Sequence, residues 1–151
     1  MEQIFNTVDQ NRKVLLQILK QTPMEKLLKV PEGFNNNIWW NIAHVVVTHQ
    51  LLHYALSNLP MHTEQALVAK FRKGTFPEGI PSDEEFDKVK EYLIATPRIA
   101  RDDYAKGIFK EFNSYTTSLG VNLKTIEDAM AFNAFHEGLH LGVIMSLKKF
   151  V

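Results

Sequence analysis

"NNNIWWNIAHVVVTHQLLHYAL", residues 35–56, decides the fold. Asn35, Asn36 and Asn37 are good helix N-caps, because a short amide side chain accepts from the free backbone N–H groups of a first turn. They place a helix from about Ile38 to Leu56. Apolar residues run almost all the way round this segment rather than along one stripe, so it must be buried on every side by its neighbours. A central helix of this kind needs a ring of amphipathic partners.

The rest of the chain supplies them. In "MEQIFNTVDQNRKVLLQILKQ", residues 1–21, Ile4, Val8, Val14, Leu15, Ile18 and Leu19 fall near helical spacing with polar residues between them. Pro23 and "VPEGFNNN" punctuate the chain before the central helix. "GTFPEGIPSDEEF", residues 74–86, is a loop that ends in Ser82 followed by Glu85, a capping-box start for a helix running toward Tyr104. Pro97 should kink or restart that helix, since it cannot donate to the carbonyl of Leu93. "GIFKEFNSYTTSLGVNLKT", residues 107–125, has strand-like composition but is too short and isolated for a sheet, and reads as an ordered loop. Thr125 and Asp128 cap a last helix, "TIEDAMAFNAFHEGLHLGVIMSLKKFV", whose closing Lys148 and Lys149 suit the negative end of the helix dipole. Four long helices without credible strands predict an all-α fold, an antiparallel-type four-helix bundle in one domain spanning residues 1–151.

Composition narrows the chemistry. With 45% apolar and 23% charged residues the chain can build a core unaided. Lys plus Arg and Asp plus Glu are 17 each, so no long-range field gathers phosphate backbones or anionic lipids, and neither nucleic acid nor a membrane is an expected partner. The first residues lack a basic region followed by an apolar core, which makes a cytoplasmic location the default expectation. Without cysteine, any metal must be held by His, Asp or Glu.

Six histidines then carry the argument: 44, 49, 53, 62, 136 and 140. At about 100° per residue, Asn41 and Thr48 lie within about 60° of His44, while His49 and His53 lie about 140° and 180° away. His49, Gln50 and His53 read as a polar, solvent-facing wedge, with a second metal pair as the rival reading. His44 faces apparent core. On the last helix His136 and His140 lie about 40° apart, so two imidazoles one turn apart can grip one ion. Gly138 and Gly142 beside them each cost about 1 kcal/mol relative to Ala within a helix, which suggests close approach by another backbone. A core-facing His44 and the pair His136 and His140 could converge inside one bundle, and three imidazoles leave coordination positions open for water or substrate.

His136, Glu137 and His140 also spell His-Glu-x-x-His. A zinc peptidase of that kind needs a third, usually downstream, ligand and a sheet edge for its substrate. Val143 and Ser146 stand where the longer motif requires Gly and His, and no Glu follows Glu137, which argues against a peptidase. Glu137 projects about 100° from His136, open to two readings: a general base or a residue that orients a ligand, and a surface carboxylate.

"NNIWWNIAHVVVTHQLL" together with "FHEGLHLGVIMSL" resembles the DinB-like (YfiT-type) superfamily of metal-dependent four-helix bundles, over essentially the whole chain. The resemblance rests on Trp40-x-x-x-His44 followed near the C-terminus by His136-x-x-x-His140 and Gly. It implies that His44, His136 and His140 bind a divalent metal, Zn²⁺ or Ni²⁺, and that the chain forms a homodimer. It further implies a small-molecule substrate, with a low-molecular-weight thiol as a candidate co-substrate, since members include thiol-dependent transferases and isomerases and proteins assigned as hydrolases. The metal would activate water or a thiol, with Glu137 moving a proton and Asn133, Asn41 or Thr48 orienting ligands. "FRKGTFPEG" and "SYTTSLG" are similar to segments of one branch of that family. Arg72, Lys73, Thr75, Tyr115 and Thr116 in them would either orient an anionic substrate or fix loop geometry. The competing reading is a non-catalytic dimeric bundle with structural or adventitious metal.

Overall fold

The computed structural model describes residues 1–151. Four long helices form the bundle: α1 (Glu2–Gln21), α3 (Ile38–His53), α5 (Asp83–Ala105) and α6 (Ile126–Leu147). Two short helices, α2 (Met24–Leu28) and α4 (Gln65–Phe71), and a 3₁₀ turn at Ala55–Ser57 lie in the connections. The strand-like stretch after α5 forms a two-residue antiparallel pair, β1 (Tyr115–Thr116) with β2 (Asn122–Leu123). This pair and the two short helices depart from the sequence expectation. Leu67, Val68 and Phe71 on α4 are buried at helical spacing, a signal present in the sequence but short.

The helix starts follow their capping chemistry. The Asn37 side chain accepts from the Trp40 N–H at 2.7 Å and donates to the Leu28 carbonyl at 2.9 Å, so one amide starts α3 and ties it to the end of α2. Ser82 accepts from the Glu85 N–H, and Thr125 and Asp128 form a reciprocal box. Pro97 does not break α5, which runs through it. Pro97 lies in the core near Val8 and His53, where packing offsets the ~3 kcal/mol that an interior proline costs.

Helix α3 is the centre, as its composition requires. Ile38, Ile42, Ala43, Val45, Val46 and Val47 are all fully buried, each of the larger ones contributing about 1.5–3 kcal/mol by leaving water. Neighbours around the ring alternate α1, α6, α3, α5, with α1 diagonal to α3. Asn41 meets His140 while Leu52 shares a cluster with Ala129 and Met130, so α3 and α6 are antiparallel. Trp39 meets Phe86 and Tyr54 meets Asp103, so α3 and α5 are parallel. The bundle is thus not antiparallel throughout: residues 54–82 form a long crossover between two parallel helices, and this crossover walls the site described next.

Two features correct the sequence reading of the polar residues. His49, Gln50 and His53 are buried, not a solvent-facing wedge. Gly138 and Gly142 face open space: a Cβ added at either would meet nothing within 4 Å, so no backbone of this chain approaches them. No helix is long and apolar enough to cross a membrane.

Candidate metal centre

The site is built at the α3–α6 seam, where the antiparallel pairing sets residue 44 against residues 136 and 140. Ring centroids of His44 and His140 are 4.7 Å apart, of His44 and His136 5.3 Å, and of His136 and His140 4.4 Å. One ring nitrogen from each of the three lies within 4.8 Å of the others.

What orients the rings is as informative as their proximity. His44 stacks on Trp40 at 4.6 Å, and its Nδ1 lies 2.7 Å from the Phe71 carbonyl. A carbonyl only accepts, so Nδ1 carries the proton and Nε2 carries a lone pair. The Asn41 Nδ2 donates to the Asn37 carbonyl at 2.7 Å, which leaves its Oδ1 to accept from His140 Nδ1 at 2.8 Å. His140 is therefore fixed in the same tautomer, with Nε2 bare and 3.1 Å from His136 Nε2. Nδ1 of His136 is buried without a partner. Thr48 Oγ1 lies 3.1 Å from His44 Nε2 and donates to it.

The electrostatics keep these rings neutral. Burial lowers the pKa of all three: His136 to about 4, helped by His44 and Arg12, and His140 to about 3, helped by His136 and His44. For His44 burial outweighs the opposing effect of the Phe71 hydrogen bond. At neutral pH three uncharged imidazoles with ring nitrogens this close together form a donor set suited to a divalent cation.

The three imidazoles stand on the wall of a cavity of about 680 Å³, within the range of small-molecule sites. Trp40, Thr48, Leu51, Leu52 and Phe132 line it beside them, and Lys73, Gly74, Thr75, Phe76, Tyr115 and Leu119 come from the two connections. Of the loop residues singled out in the sequence, Lys73, Thr75 and Tyr115 are on this wall, whereas Arg72 and Thr116 are not. Thr75 pins the loop to α3, because its hydroxyl accepts from the Trp40 indole at 3.1 Å and donates to the Arg72 carbonyl at 2.8 Å.

Glu137 does not share this wall. It is fully buried, and its Oε1 accepts from Arg12 Nε at 3.1 Å, Arg12 Nη2 at 2.8 Å and Asn133 Nδ2 at 2.8 Å. This corrects the surface-carboxylate reading. The ~100° offset from His136 points the carboxylate into the core, where the Arg12 guanidinium holds it. Asn133 goes with it and orients no imidazole. Arg12, missed in the sequence, had a signal: it sits at helical spacing between Val8 and Leu15 on the buried face of α1. The Phe71 carbonyl had none, because backbone groups carry no sequence identity.

No curated protein matches the chain. A family model described as the DinB superfamily matches residues 7–144, which takes in most of all four long helices and the three clustered histidines. That match spans most of the chain, and the protein belongs to the DinB superfamily.

Proposed function

We propose that the protein is a metalloenzyme in which His44, His136 and His140 hold one divalent cation, Zn²⁺ or Ni²⁺, and act on a small molecule in the adjoining cavity. One observation carries this reading: the Phe71 carbonyl and the Asn41 amide hold His44 and His140 as Nδ1–H tautomers, which leaves the Nε2 of each unprotonated within a cluster whose third member is His136. Outer N–H groups fixed by an acceptor are the usual support of metal-binding imidazoles. The cation would supply Lewis acidity, favouring the deprotonated form of a water or thiol near neutral pH. The chain's own residues do the rest. Thr48 holds a hydroxyl at the site, Trp40 and Phe132 exclude water from one side, and the cavity admits a substrate up to the imidazoles. Three protein ligands leave positions open, which suits catalysis rather than a purely structural site. A low-molecular-weight thiol is the co-substrate we favour, and Glu137 is assigned to the core ion pair.

The homodimer belongs to this proposal as well. Phe135, Leu139 and Val143 are exposed on α6 beside the uncovered Gly138 and Gly142, a face that a second copy could approach closely; light scattering of purified protein decides it. For the metal, protein purified without a His-tag or nickel resin should contain about one equivalent of Zn or Ni by elemental analysis, and His136→Ala should contain none. A triple His→Ala protein that binds metal like the parent would sink the assignment.

A further inference from the structure

The cavity has a charge pattern that the metal centre does not account for. Among the side chains on its wall, Lys73 is the one formal charge apart from the neutral imidazoles, and no carboxylate is present. Lys73 makes no ion pair with any Asp or Glu of the chain, unlike Lys70, which meets Glu85 at 2.7 Å, and Lys88, which meets Glu64 and Glu84 at 2.9 Å. Its backbone is well fixed. Two residues earlier the Phe71 carbonyl holds His44, two residues later Thr75 holds Trp40, and Gly74 between them takes φ +89°, a left-handed conformation that favours glycine. Lys73 is therefore carried to the cavity wall by the same loop that positions the first imidazole. The rest of the wall is largely apolar, with Leu51, Leu52, Ala55 and Leu56 on one stretch of chain and Phe132 on α6. Beside them Asn35 and Asn36 add uncharged amides.

We infer that the cavity selects an anionic amphipathic small molecule whose carboxylate pairs with Lys73 and whose hydrocarbon body lies against the apolar part of the same wall. An unpaired ammonium at a site without carboxylates repels cations and attracts anions, while the apolar wall rewards burial of hydrocarbon. Lys73 would thus be a specificity-determining residue. It deepens the reading of the cavity as a substrate site given under Proposed function, but the ion pair itself does not require the metal.

Isothermal titration with three probes of equal chain length tests it: octanoate, 1-octanol and octyltrimethylammonium, each against metal-loaded and chelator-treated full-length protein. The expected result is binding in the order octanoate, octanol, octyltrimethylammonium in both forms. Lys73→Ala should weaken octanoate about threefold and Lys73→Glu about tenfold, the scale of one partly exposed charge removed and then reversed. Lys73→Arg should retain the preference, Arg72→Ala should leave it unchanged, and all four variants should keep the parent's metal content. Equal affinity for the three probes, no octanoate binding at millimolar concentration, or indifference to Lys73→Glu would overturn the inference. So would an anion preference that disappears with chelation, because the carboxylate would then be sitting at the histidines. A protein that carries no metal yet binds octanoate through Lys73 would end the metal reading and leave this one standing.

Discussion

The molecule contains the same His-x-x-x-His spacing twice, and the two pairs have opposite fates. His136 and His140 on α6 have ring centroids 4.4 Å apart, and His49 and His53 on α3 have theirs 4.2 Å apart. The first pair meets a third imidazole at the wall of an open cavity. The second is sealed in the core beside a void of about 10 Å³, room for roughly one water. Their proton patterns differ too. His140 gives Nδ1–H to Asn41 and keeps Nε2 bare, while Gln50 Nε2 donates to His49 Nδ1 at 3.2 Å, placing the proton of neutral His49 on Nε2. His53 has no partner on either ring nitrogen. Helical spacing makes a pair of imidazoles available, and what surrounds them decides their use.

The sharpest way to break the comparison is metal content. His136→Ala is expected to take the protein from one equivalent to none, while His53→Ala leaves it at one; elemental analysis of both variants measures this directly. Metal lost from the His53 variant and retained in the other would exchange the roles of the two pairs.

Next in size is the ion pair that lies between the two histidine pairs. Arg12 and Glu137 are both fully buried, and the Arg12 Nη2 also reaches the Val45 carbonyl at 3.3 Å. Arg12→Ala should destabilise the fold by about 3–5 kcal/mol, because it leaves a carboxylate buried without its partner. Arg12→Met combined with Glu137→Leu should recover most of that loss. Urea denaturation of the metal-free proteins measures both, and a double variant no more stable than Arg12→Ala would show that the pair itself, rather than the stranded charge, matters.

A smaller effect is expected from the support of His140. Asn41→Leu removes the acceptor of its Nδ1–H, and metal affinity should fall about 10- to 100-fold with stoichiometry preserved. Competition against a chromogenic chelator measures it. Unchanged affinity would mean that Asn41 merely fills space.

The smallest effect is the pH response of the core pair. Burial pushes His53 down to about 3, with the Arg12 charge adding to it, and His49 well down, with His53, Arg12 and His62 adding to it. Between about 3 and about 6.5 the unfolded chain holds protons that the folded His53 does not. Stability from this source is complete above about pH 6.5 and is lost as pH falls toward 3, at about 1.4 kcal/mol per pH unit for each such histidine. His53→Leu should flatten the fall in unfolding free energy between pH 6 and 5 by about that slope. Parallel curves for parent and variant would place His53 in contact with water.

The legibility of the two regions from sequence differed for the same reason. Helix positions, the capping residues Asn37, Ser82 and Thr125, and the burial of α3 follow from local patterns. The convergence of His44 with His136 and His140 was within reach because each lies on a definable helix face. For His49 and His53 the angular position was right but the conclusion wrong: α3 is buried nearly all round and has no solvent face to which a polar wedge can be assigned. No restart occurs at Pro97, because α5 continues through it with Pro97 buried in the core.

The sequence by itself determined an all-α bundle around a central apolar helix and the three histidines that face one another, because periodicity and capping are short-range properties. Only the tertiary structure decided that α3 and α5 run parallel, that the crossover between them carries Phe71, Lys73 and Thr75 to the site, and that Arg12 claims Glu137. These depend on which faces meet across long stretches of chain, as in the 125-residue separation of Arg12 and Glu137, and no local pattern encodes the partner of a buried charge.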